Sequence, residues 1–205
     1  RLAALASPFD PYETKHLCNA FVGLIGIVAA YRLGVLLGGK RAGLLAAITL
    51  ILTPRYYGHA FNNPKDIPFA VFYLWSVYFL TRSIGTFPRL PLKLAVWTGI
   101  SIGLTLAIRI GGILLFGYLA LFFSIAWLTL ARKDRLGEDV GPPIVSLISI
   151  GAIAGAVMLL FWPLAQVHPF TTLSEALTRF SNFPEMHWSY FDGRYISSIE
   201  TPRTY

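Results

Sequence analysis

The sequence predicts an all-α polytopic membrane protein, with about six transmembrane helices followed by an interfacial amphipathic helix. Three observations carry this prediction. Of 205 residues, 55% are hydrophobic and only 13% charged. The apolar residues run in unbroken blocks of roughly 15–25, the length a helix needs to cross a hydrocarbon core about 30 Å thick, rather than at amphipathic spacing. No ten-residue alternation suggests a barrel, and backbone groups in lipid must be satisfied within the segment, so helices are the expected spanning element.

The spans are expected near 17–37, 42–58, 67–81, 94–108, 110–131 and 142–164. The first ends at "GGKRAG", where paired glycines and two cations mark a short cytoplasmic turn. The second ends at Pro54 and "RYYG", residues suited to an interfacial aromatic belt. The polar segment "HAFNNPKDIPFA", His59 to Ala70, separates it from the third. "RSIGTFPRLPLK" then supplies three cations in a second cytoplasmic loop. The stretch 94–131 is apolar except for Arg109. As one helix it would be about 57 Å long, so it must turn back. "IRIGG", Ile108 to Gly112, is the natural break, because paired glycines weaken a helix and an arginine avoids the bilayer centre. "RKDR" returns the chain to the cytoplasmic side, and the last span exits at "WPLAQVHP". "TTLSEALTRFSNF" has a Thr start and apolar positions at helical spacing, which predicts an interfacial helix; "DGRYISSIETPRTY" reads as a loop. The organisation is therefore a transmembrane bundle over 1–167 and a periplasmic interfacial helix and loop over 168–205. Both ends read as cut from a longer chain, since Arg1 is not a methionine and Tyr205 falls inside a polar stretch.

The net charge of +7 does not indicate nucleic acid, because the cations flank apolar blocks, where they set topology and meet headgroups. Cys18, the sole cysteine, can form no internal disulfide and reads as a small buried apolar residue. The short loops place Arg55, Lys65, Arg109, Arg179, Arg194 and Arg203 on the extracytoplasmic face, where topology alone disfavours them. They need another purpose.

Asp66 is the only acidic residue between Glu13 and Asp134, and Pro64 and Pro68 fix the backbone around it. One reading has Asp66 capping the helix from Ile67 and pairing with Lys65. The other makes it a carboxylate that orients a substrate or, with His59 and Asn62 or Asn63, ligates a divalent cation, the one cofactor these residues could hold. Arg109 either snorkels to lipid headgroups or grips a phosphate with its bidentate fork, assisted by Lys65 and Arg55. His168 belongs to an interface, and His187 and Trp188 in "HWSYF" could stack on a sugar or lie on lipid. No buried acidic pair suggests the coupling site of a transporter.

The order "YRLGVLLGGKRAGLLAAITLILTPRYYGHAFNNPKDIPFAVFYLWSVYFLTR", "GISIGLTLAIRIGGILLFGYLA", "FWPLAQVHPFTTLSEALTRFSNF" and "YFDGRYISSIETPRTY" resembles the membrane glycosyltransferases of the GT-C fold. The similar group is the one that depends on a lipid carrier and includes protein O-mannosyltransferases and lipid A aminoarabinose transferases. The resemblance covers nearly the whole chain, as a pattern of helices with sparse motif residues. It implies a multi-pass protein of a bacterial-type inner membrane that transfers a sugar from a polyprenyl-phosphate carrier to an extracytoplasmic acceptor. Asp66 would be the catalytic carboxylate at the periplasmic mouth, and Arg109 would occupy a phosphate-binding position where such enzymes often carry lysine. His59, Asn62, Asn63, Lys65 and Arg55, read from their own chemistry, are the residues expected to line the substrate site around them. The principal acidic residue of that family lies in a first extracytoplasmic loop; Asp10 and Glu13 fall where such a loop finishes and are not assigned its role. The alternative is a non-catalytic subunit that packs into a larger membrane complex through helices such as "FAVFYLWSVYFL".

Overall fold

The computed structural model describes residues 8–131, 141–182, 188–191 and 193–197. Helix α1, Pro11–Ile51, opens with Pro11 at its first position and with Asp10 accepting a hydrogen bond from the Tyr12 N–H at 3.0 Å. It is two limbs rather than one rod. At Gly38 and Gly39 the backbone leaves helical geometry, and the φ of +78° at Gly39 is one that a side chain would oppose. The return limb lies so close to the first that a Cβ on Gly34 would stand 2.7 Å from the Gly43 Cα. The turn expected at "GGKRAG" is therefore present.

The span expected at 42–58 is not continuous. The return limb stops at Ile51, Thr53 is extended, and a second helix, α2, Pro54–Asn62, begins at the proline. Proline lacks the N–H that would continue the ladder and pushes the residue before it out of the α region. Helix α2 runs on toward the start of α1. There Asn19 donates to the carbonyls of His59 (3.2 Å) and Ala60 (2.7 Å), the His16 Nδ1–H donates to that of Phe61, and the Tyr56 hydroxyl donates to Gly23 O at 2.7 Å. Cys18 faces outward from α1 instead of being buried, because the inward positions of this limb are Thr14, Asn19, Gly23 and Gly26.

Helices α3 (Asp66–Ile84), α4 (Leu92–Ile108), α5 (Leu114–Ala131) and α6 (Gly141–Phe161) form the rest of the bundle. Its core joins Leu80, Ile102, Leu106, Leu115, Phe123 and Ile150. Small and hydroxylic residues bring the helices together, as membrane packing requires. Ser76 lies 3.4 Å from Thr105 and Ser83 3.5 Å from Thr98 across α3 and α4, and each hydroxyl also donates to its own helix. Gly99 and Gly103 of α4 admit α6 at backbone distance: a Cβ on Gly103 would lie 2.6 Å from Ala154 O. Gly151 and Gly155, in "GAIAGAV", have nothing within 4 Å.

Among the described residues, four helices are long and apolar enough to cross a membrane: Pro11–Ile51, Asp66–Ile84, Ile110–Thr129 and Pro143–Phe161; α4 is a shorter apolar helix. Their outer surfaces carry exposed leucine and isoleucine, such as Leu24, Leu128 and Ile148, as lipid-facing positions should. Beyond Trp162 come a short helix α7, Pro163–Val167, and helix α8, Pro169–Ser181, at the expected interfacial segment. Helix α8 exposes Phe170 and packs across the turn before α5, where Phe180 lies against Gly111. The segment read as a terminal loop contains a hairpin instead. Strand β1, Trp188–Phe191, pairs antiparallel with β2, Arg194–Ser197, with Gly193 at φ +75° in the turn. The Asp-Gly pair before "RY" is the hairpin signal in the sequence.

Candidate functional site

The start of α3, the end of α2 and the turn between α4 and α5 meet at one end of the bundle. Asn63 organises the first two. Its side-chain oxygen accepts from the N–H groups of Asp66 (2.9 Å) and Lys65 (3.3 Å), which satisfies donors that the first turn of α3 leaves without intrahelical partners. Its amide nitrogen reaches Asp66 Oδ2 at 2.6 Å and His59 Nδ1 at 3.2 Å. Asp66 is thus the first residue of α3 rather than its cap, and its charge complements the helix N-terminus.

Arg109 enters from the other side. Helix α4 ends at Ile108, Arg109 is extended (φ −148°, ψ 137°), and a 3-10 turn over Ile110–Ile113 leads into α5. The turn is tight because Gly112 touches α4: a Cβ there would meet Thr105 Cγ2 at 3.0 Å and Leu106 N at 3.1 Å. The break predicted at "IRIGG" thus delivers the guanidinium to Asp66, and Arg109 Nη2 forms an ion pair with Asp66 Oδ1. Both carboxylate oxygens are engaged, one by Arg109 and one by Asn63.

The pairing of Asp66 with Lys65 weighed from the sequence is not the one formed, since the partner comes from a turn 43 residues away in the chain. Lys65 and Arg55 make no side-chain hydrogen bond or ion pair among the described residues, which leaves two unneutralised cations on the elements flanking the Asp66–Arg109 pair. Asn62 stands outside the network and reaches only Gly58 O, at 3.5 Å. The residues do not gather as a cation site: Asn63 turns its nitrogen, not its oxygen, toward His59 and Asp66, and no group of three or more His, Cys, Asp or Glu occurs among the described residues. His168 lies between α7 and α8, Trp188 is exposed on the hairpin, and His187 lies outside the described residues.

Next to this end of the bundle, a groove of about 410 Å³ runs between α1, α2 and α3, lined by Gly26, Leu50, Tyr56, Phe69, Ala70 and Tyr73 among others. Its lining is almost wholly apolar. Ala70 is one helical turn beyond Asp66, so the groove starts beneath the polar cluster. Sequence reasoning had no means of finding it, because its walls come from three helices.

Neither curated proteins nor solved structures yield a match. The sequence profile of one family does match, over residues 14–162, a stretch that begins in α1, includes Asp66 and Arg109 and ends after α6. The expected resemblance is borne out: this membrane glycosyltransferase-like chain belongs to the dolichyl-phosphate-mannose-protein mannosyltransferase family.

Proposed function

We propose that the protein transfers a sugar from a polyprenyl-phosphate carrier to an acceptor on the periplasmic side of a bacterial-type inner membrane. The observation that carries this reading is the Asp66–Arg109 pair above an apolar groove. A lipid-linked sugar has an apolar tail, an anionic linker and a polar head, and that order matches groove, cation and carboxylate. The family description, which names a dolichyl-phosphate sugar, supports a donor of this class.

In this mechanism the acceptor hydroxyl attacks the anomeric carbon, the bond from that carbon to the phosphate oxygen breaks, and the hydroxyl proton passes to Asp66. The departing lipid phosphate takes the bond's electron pair and is held by Arg109, with Lys65 and Arg55 adding positive potential. His59 and Asn63 would bound the head-group side of the site, with Asn62 at its edge. Asp66→Asn and Arg109→Ala should each abolish transfer in reconstituted membranes while leaving insertion unchanged; normal transfer by either variant sinks the site.

The engagement of both Asp66 oxygens favours a second reading, in which the pair merely ties α3 to the α4–α5 turn of a non-catalytic subunit. A structural pair tolerates reversal of its charges, whereas a base does not.

A further inference from the structure

We propose that Asn63 is the positioning residue of this site, holding the Asp66 carboxylate toward Arg109 and fixing which nitrogen of His59 carries the proton. The inference rests on the transfer reading for its catalytic meaning, but not for its geometry.

An asparagine amide can usually be turned over, since its oxygen and nitrogen look alike. Here the backbone decides. Two N–H groups, of Lys65 and Asp66, point at one end of the carboxamide, so that end must be the oxygen. The nitrogen then has two hydrogens to place, and it finds two acceptors: Asp66 Oδ2 at 2.6 Å and His59 Nδ1 at 3.2 Å. All hydrogen-bonding positions of Asn63 are thereby used. His59 Nδ1 must act as an acceptor, so the proton of the neutral ring resides on Nε2. Asp66 Oδ2 is anchored from α2's side, and Oδ1 is the oxygen that meets Arg109.

The charged and titratable groups near this end of the surrounding elements are Arg109 on the α4–α5 turn, Arg55 and His59 on α2, Lys65 beside Asp66, Glu13, Lys15 and His16 at the start of α1, and Glu175 and Arg179 on α8, which packs on the turn. Asn63 is the neutral group placed between Asp66 and one of them, His59.

Asn63→Asp separates positioning from capping. Aspartate is as good as asparagine at accepting from helix-start N–H groups, so a purely structural role predicts no change. A positioning role predicts that a second carboxylate replaces a donor at 2.6 Å from Asp66 Oδ2. The aspartate oxygen can only accept at that place, so the His59 Nδ1 should take the ring proton and transfer should slow by at least about tenfold. The experiment uses the whole protein in nanodiscs, with ¹⁵N-labelled histidine at pH 8 and a His59→Gln variant to identify the resonance. A polyprenyl-phosphate sugar is the donor in the parallel transfer assay. The expected result is an unprotonated Nδ1 on His59 in the wild type, and a protonated Nδ1 with slower transfer in Asn63→Asp. A protonated Nδ1 with a bare Nε2 in the wild type, or equal transfer rates in the two proteins, overturns the inference. If the wild type transfers no sugar, the functional reading falls, and the ¹⁵N resonances still decide whether Asn63 is oriented as proposed.

Discussion

Replacing Asp66 with asparagine removes a charge without removing shape, and the structure sets the size of the two effects that follow. Arg109 and Asp66 are 48% and 52% exposed, so their pair is screened by its surroundings. An ion pair of that exposure contributes about 0.2–1 kcal/mol. The introduced amide can still accept from the Asn63 nitrogen, so the expected loss of stability stays below about 1 kcal/mol. Loss of a general base costs about 10²–10⁴ in rate, or about 2.7–5.4 kcal/mol at 1.36 kcal/mol per factor of ten. The catalytic loss is therefore several times the structural one. Transfer would be measured in proteoliposomes at matched protein, with thermal unfolding in detergent as the control. The double variant Asp66→Arg with Arg109→Asp completes the test, because it restores attraction between the two positions but leaves no carboxylate on α3. Activity within about tenfold of wild type in Asp66→Asn, or recovery in the reversed pair, would refute catalysis by Asp66.

Other consequences can be checked independently. Gly103→Val should force α4 away from α6, since a Cβ already falls 2.6 Å from Ala154 O; a loss of about 1–3 kcal/mol in unfolding is expected, with Gly155→Ala near neutral because nothing stands within 4 Å of that position. Asn19→Leu should cost about 1–3 kcal/mol, since it strips the side-chain donor from two carbonyls at the end of α2, and a neutral result in the same unfolding assay would contradict the anchoring role of Asn19. For orientation, cysteines introduced at Lys65 and Lys40 in a Cys18→Ser background should react with an impermeant maleimide from opposite sides of sealed vesicles. Reaction of both from one side would refute the proposed topology.

The helical fold was legible at several of the places where the chain stops being a helix, though the spans expected at 42–58 and 142–164 ran through the breaks before Pro54 and Pro163. Gly38 and Gly39, Pro54, and the Arg109 to Gly112 turn all lie at breaks that backbone chemistry dictates. What the sequence concealed was of two kinds. One was local and could have been read: the Asp-Gly pair before Arg194 signals a hairpin, and an asparagine before a proline, three residues ahead of Asp66, signals a side chain turned back on the helix start. The other was not local. Lys65 is the neighbour of Asp66 in sequence, but the guanidinium that reaches it is carried there by the reversal between α4 and α5. Cys18 looked like a packing residue by type, and only the angular position of α1 against α2 turns it outward.

The density of polar side chains between His59 and Asp66 follows from a backbone problem as much as from chemistry. A chain that ends one helix and starts another within a few residues leaves carbonyls without partners on one side and N–H groups without partners on the other. At the edge of a bilayer such groups are costly if unpaired. Here the carbonyls of Ala60 and Phe61 are met by Asn19 and His16, reaching across from α1, and the N–H groups by Asn63. That division has a consequence for function. Because α1 secures the carbonyls and Asn63 the N–H groups, Asp66 is not consumed as a cap, and its carboxylate remains free to meet a cation from another helix. An alanine at residue 63 would compel Asp66 or solvent to serve the helix start, so the junction that ends α2 also determines whether a carboxylate is available opposite Arg109.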